Sequence, residues 1–168
     1  NAANLYATVN ASDATLQTWS LGSTFWLNNT GDTVNSFASG TTVNLRGATG
    51  TANVSYGTVN FGDTNERLAL SGQTNIVNSS WTSDTLVLQA NASATIANGS
   101  LTAWLNQSGS SVTAQTTGNT IDEFATTGTA TVFLSTVTMS GGSNQATQFL
   151  NLNGPNNVWG NAGWGDFS

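Results

Sequence analysis

Apolar and polar residues alternate with a period of two along most of this chain. Leu5, Ala7 and Val9 alternate with Tyr6, Thr8 and Asn10, and Val43 and Leu45 alternate with Thr42, Asn44 and Arg46. Val54 and Tyr56, then Val59 and Phe61, keep period two across Gly57. Such alternation turns one face of a strand to a core and the other to water. Shorter apolar runs follow at Leu68-Ala69-Leu70, Leu86-Val87-Leu88, Leu101–Leu105 and 149–152, with a long uncharged stretch at 129–139. Clusters of Gly, Asn, Asp and Ser separate these runs at short intervals. Asp122-Glu123-Phe124-Ala125 offers one helical turn, but Thr126-Thr127-Gly128 follows at once, and no helical stripe lasts three turns.

The pattern predicts an all-β chain folded as a single β-sandwich, jelly-roll or immunoglobulin-like, with about eight to eleven strands. Residues 13–168 would form the sandwich and residues 1–12 an N-terminal tail or donor strand. Two readings of that tail stay open. Leu5, Ala7 and Val9 either start their own sandwich or leave it to complete the sheet of another subunit. A right-handed β-solenoid is the alternative fold, suggested by the Asn, Gly and Thr content. It stands second because no fixed repeat of about 20 to 30 residues is visible.

Composition narrows the function. Charged residues make up 6% of the 168-residue chain, against about 25% in an ordinary soluble domain. There is no lysine, histidine or cysteine, and the two arginines are Arg46 and Arg67. Imidazole bases, thiolates, Schiff-base amines and a phosphate-binding basic patch are therefore excluded, and nucleic acid is not expected as a partner. Nor is a disulfide framework or a lysine-based isopeptide staple possible. The surface must instead be built from 22 Asn, 28 Thr and 19 Ser. With few titrating groups, the fold should tolerate acid.

Carboxylate chemistry alone survives as a catalytic option, with Asp63 and Glu66 or Asp122 and Glu123 as the available pairs. Gly62-Asp63-Thr64-Asn65 reads better as a turn and Glu66-Arg67 as an exposed strand start, so no catalytic residue is assigned. The oxygens of Asp63, Asn65 and Glu66 lack the spacing of a calcium loop, and neither a metal nor a cofactor is expected. Seven sequons stand at Asn10, Asn28, Asn53, Asn78, Asn91, Asn98 and Asn106. Chance alone gives about as many in a chain this rich in Asn, Thr and Ser. Asn28, Asn78, Asn98 and Asn106 fall in or beside turn-like stretches, where a covalent N-glycan has room.

Six tryptophans raise a further option, since exposed indoles stack on sugar rings. Trp104 lies between Ala103 and Leu105, where core burial is expected. Trp159 and Trp164 sit among glycines in the C-terminal stretch, as a sugar platform or as anchors in a neighbouring subunit. No apolar segment is long enough for a membrane-spanning helix. The start, Asn1-Ala2-Ala3-Asn4, reads as a mature end left by signal-peptide removal, without the long hydrophobic helix of a type IV pilin.

An early alternating strand, an all-β body rich in Thr, Ser and Asn, several sequons and almost no charge together resemble archaeal extracellular threads and related filaments built by donor-strand exchange. That resemblance implies a non-catalytic, glycosylated, extracellular homopolymer subunit in which Leu5, Ala7 and Val9 insert into the next protomer. The alternatives are a secreted carbohydrate-binding module or lectin, and a virion or surface-layer shell protein.

Overall fold

The computed structural model describes residues 4–81, 83–105, 107–123, 127–133, 136–139, 147–153 and 158–161. In chain order its strands are β1 (Tyr6–Val9), β2 (Thr15–Thr18), β3 (Thr24–Leu27), β4 (Asp32–Ser36), β5 (Thr42–Leu45), β6 (Thr49–Asn53), β7 (Thr58–Phe61), β8 (Arg67–Ser71), β9 (Asn75–Ser79), β10 (Asp84–Leu88), β11 (Ser93–Asn98), β12 (Leu101–Leu105), β13 (Ser110–Ala114), β14 (Thr120–Glu123), β15 (Thr127–Phe133), β16 (Thr136–Met139), β17 (Thr147–Asn153) and β18 (Val158–Asn161). Odd-numbered strands form one nine-stranded sheet and even-numbered strands another, each in sequence order. All pairings are parallel.

This is a β-solenoid, and it overturns the expected sandwich. Each rung lays one short strand in the odd sheet, turns a corner, lays one in the even sheet, and returns one strand spacing further along. A sandwich of hairpins needs antiparallel neighbours, and among the described residues none of the pairings is antiparallel. Period-two alternation is common to both architectures, because either way one face of each strand is buried. The repeat is shorter than 20 residues in most rungs and not constant, so it shows no fixed period of 20 to 30 residues. Asn10 and Asn28, one rung apart, are separated by 18 residues, Asn44 and Asn60 by 16, and Asn78 and Asn98 by 20.

Inward positions build one continuous core between the sheets. Phe25, Leu27, Val43, Leu45, Val59 and Phe61 come from the odd sheet; Val34, Ala52, Leu68, Leu70, Leu86 and Leu88 come from the even sheet; all are buried. Several local expectations shift with the fold. Val54 and Tyr56 lie in a corner rather than a strand, with Val54 buried and Tyr56 exposed. The 129–139 stretch falls in two strands, β15 and β16, and Asp122-Glu123 ends β14 rather than opening a helix.

Corners are made by residues in the left-handed region. Asp13, Gly22, Gly31, Gly40, Gly47, Tyr56, Asn65, Gly72, Thr74, Ser83, Asn91, Gly99, Gly109 and Gly118 all have positive φ; Gly72 and Thr74 share one corner, and most of the rest stand nine residues after the corner before. Gly, Asn and Asp tolerate that backbone best, which explains their regular scatter. Gly99 has a second constraint, since a Cβ there would drive into the Ser79 carbonyl of the rung below.

At five corners a buried side chain ties the turn to the previous rung by accepting one of its main-chain N–H groups. Asp32 accepts from Ala14 (3.0 Å), Glu66 from Gly47 (2.6 Å), Asp84 from Glu66 (3.1 Å), Asn75 from Gly57 (3.0 Å) and Asn119 from Leu101 (3.1 Å). Those N–H groups would otherwise be left unpaired inside the stack.

Candidate functional site

Parallel in-register pairing turns each outward position into a column that runs along the solenoid axis at one strand spacing, about 4.8 Å per rung. On the odd sheet one such column reads Trp26, Asn44, Asn60, Asn78 and Asn98. A bulge between Ile96 and Asn98 keeps Asn98 in line. The amides form a ladder. Asn60 Nδ2 donates to Asn44 Oδ1 at 2.8 Å, Asn78 to Asn60 at 2.9 Å and Asn98 to Asn78 at 3.0 Å, while Asn44 Nδ2 donates to the Phe25 carbonyl at 3.3 Å. An amide has two N–H donors and two carbonyl lone pairs, so each inner ladder member keeps one of each for another partner.

Trp26 heads the ladder, with Tyr6 stacked on it at 6.5 Å and 24°. Beside them Trp26, Asn44, Leu45, Arg46, Asn60, Gly62 and Asp63 line a shallow open groove of about 470 Å³. The groove thus holds an indole face, two amides held in place by their neighbours, a guanidinium and a carboxylate. Arg46 and Asp63 are both exposed, and Asp63 Oδ1 accepts the Thr64 N–H at 2.8 Å. The other corner carries a second aromatic cluster. Trp19 and Phe37 stack at 5.1 Å and 17°, and Leu21 and Tyr56 are exposed nearby. A serine-lined groove runs between Phe37 and Tyr56 over Ser36, Ser39 and Ser55.

The structure assigns the sequence candidates as follows. Glu66, expected at an exposed strand start, is buried, and its carboxylate clamps the Gly47 N–H and the Asp63 N–H (3.1 Å), so Asp63, Asn65 and Glu66 make a corner. Burial pushes the Glu66 carboxyl above its ordinary range, partly offset by those N–H donors. Burial raises Asp84 as well, against hydrogen bonds from the Ser79 hydroxyl and the Glu66 N–H. Asp122 is raised by burial and partly relieved by Trp104. Trp104 itself faces outward, half-buried, under the Arg67 guanidinium at 5.3 Å, while Ala103 and Leu105 take the core positions. Among the described residues no cluster of three or more acidic side chains is placed to hold a metal.

Leu5, Ala7 and Val9 lie in and before β1, which pairs with β3 of its own chain. Five sequon asparagines have their amides in cross-rung pairs: Asn28 donates to Asn10 at 2.7 Å, Asn53 donates to Asn35, and Asn78 and Asn98 belong to the ladder. Asn91 is an exposed left-handed corner residue. Trp159 lies in β18 in register with Val137, and Trp164 and Asn106 lie outside the described residues.

Of the groove residues, the sequence offers Asp63 as a candidate carboxylate and Trp26 as one of six tryptophans, while the alignment of Asn44 with Asn60 is not visible locally; a signal for it is nonetheless present. The triplet Thr-Val-Asn occurs at 8–10, 33–35, 42–44 and 58–60, with Val inward and both polar residues outward. No protein-family model matches the chain, and comparison with curated proteins and with solved structures found no match.

Proposed function

We propose that this chain is a secreted, non-catalytic β-solenoid that binds carbohydrate along the outer face of its odd-numbered sheet. The observation that carries the reading is the groove in which the Trp26 indole meets the amides of Asn44 and Asn60, with Arg46 and Asp63 at its rim. A sugar presents C–H faces that stack on an aromatic ring and hydroxyls that both donate and accept. The ladder amides offer both functions at once, in positions fixed before the ligand arrives, so little ordering entropy is lost. The groove is open and continues into a column, which suits an extended glycan chain lying along the axis rather than a buried monosaccharide. A surface almost free of charge, built from amides and hydroxyls, fits a neutral polymer.

Affinity electrophoresis through gels containing soluble polysaccharides tests the reading. Wild type should be retarded by at least one neutral polysaccharide and Trp26→Ala should not, while Trp19→Ala, in the aromatic cluster of the other corner, should migrate like wild type. Equal retardation of wild type and Trp26→Ala would remove the assignment.

A further inference from the structure

A solenoid has two ends, and the first described rung leaves its end open. Leu5 is 41% exposed and Ala7 and Leu16 are only half-buried, whereas Phe25 and Val34, their counterparts one rung on, are fully buried. The main chain is open as well. Thr24 N–H donates to Leu5 O (2.7 Å) and Asn28 N–H to Val9 O (3.1 Å), so alternate residues Tyr6 and Thr8 turn their N–H and C=O groups away from β3. On β2, Ala14 O and Thr18 O accept from Thr33 and Phe37 of the next rung, which leaves Thr15 and Gln17 facing outward.

We infer that the outer edge of β1 and β2 is a docking surface for the last described rung, β17 and β18, of a second copy of this chain. Three observations favour that occupant. The sheets are wholly parallel, so an outward-facing first strand is matched in direction only by a strand of the opposite end, which makes the contact head-to-tail and able to propagate. The four end strands carry no Lys, Arg, Asp, Glu or Pro, the residues with which sheet edges are ordinarily guarded. One register also runs unbroken from end to end, from Tyr6 through Thr24, Thr58, Ile76 and Thr113 to Asn151 of β17. In a stacked pair Asn151 of one copy falls beside Tyr6 of the next. The contact adds a strand to each sheet by main-chain hydrogen bonds and closes the core over Leu5, Ala7 and Leu16. This inference does not rest on sugar binding; the two share Tyr6, which stacks on Trp26, and the test reads cross-linking and self-association rather than binding.

Engineered cysteines test it, in a chain that has none of its own. Tyr6→Cys and Asn151→Cys single variants of the full chain, mixed and oxidised, should give a disulfide-linked heterodimer, because adjacent parallel strands bring Cα atoms within disulfide reach. Tyr6→Cys mixed with Thr113→Cys, mid-column, should give only background. In parallel, Thr8→Pro removes an outward N–H without touching the β1–β3 bonds, and should weaken self-association in sedimentation by about tenfold with an unchanged circular dichroism spectrum. Heterodimer yield no higher than in the Thr113→Cys control would overturn the inference. So would a wild type that stays monomeric at high micromolar concentration. If Thr8→Pro misfolds, the cysteine pairs decide alone.

Discussion

Asparagine does most of the surface work in this molecule, and its role depends on what lies one rung away. In sequence, Asn78-Ser79-Ser80 reads as a glycan acceptor; in the fold, Asn78 is the third amide of a ladder whose donors and acceptors alternate. The difference is invisible locally, because the partners are 18 to 20 residues distant. Replacing Asn60, which both donates and accepts, leaves two neighbours unmatched. Asn60→Ala should cost about 1–2 kcal/mol in urea unfolding and also weaken polysaccharide binding. Glycine at a corner makes a sharper case. Gly99→Ala meets both a left-handed φ of 91° and the Ser79 carbonyl, and should destabilise by more than the ~1 kcal/mol by which an unstrained exchange stabilises. Gly118→Ala, whose Cβ would approach the Ser100 hydroxyl at 3.1 Å instead, should cost less, and thermal melts of the two variants side by side measure the difference.

The strands themselves were legible. Alternation located β1, β5 and β7 because each has apolar residues on one face and mostly polar ones on the other, as the burial of Val43, Leu45, Val59 and Phe61 shows. Their pairing was not legible, since period two is the same for antiparallel hairpins and for parallel rungs. What distinguishes the solenoid is the corner, a left-handed residue about every nine positions, and that regularity is blurred where Tyr56, Thr74 and Ser83 stand in place of glycine. Corners also set the response to acid. Glu66 and Asp84 have folded-state pKa values above their ordinary 4.5 and 3.8, both through burial. A raised carboxyl pKa means that the folded state holds its proton more tightly than the unfolded state. Its stabilising contribution is therefore full below the ordinary value and is lost as pH rises through the folded value. The melting temperature should not fall, and should rise slightly, from pH 7 to pH 4. Glu66→Gln should flatten that rise; a steep loss of structure on acidification would contradict the corner assignment.

Over the whole molecule, stability is distributed along one axis, because each rung packs only on its neighbours. A cavity in a middle rung cannot be filled from either side. Leu68→Ala, at a fully buried site, should cost about 2–5 kcal/mol by calorimetry or urea, and Leu16→Ala, at the half-covered first rung, distinctly less. The same one-dimensional build repeats the outward chemistry at a fixed spacing, so a ligand that repeats along its own length can meet it again and again. That is the basis of the carbohydrate reading, and a glycan-length series tests it most directly. Isothermal titration of wild type, with neutral oligosaccharides of increasing length from one polysaccharide that retards it, should show affinity rising with each added sugar until the chain outruns the ladder. Trp26→Ala and Asn60→Ala should each lower that rise. No binding at any length, or binding that neither substitution alters, would contradict the account.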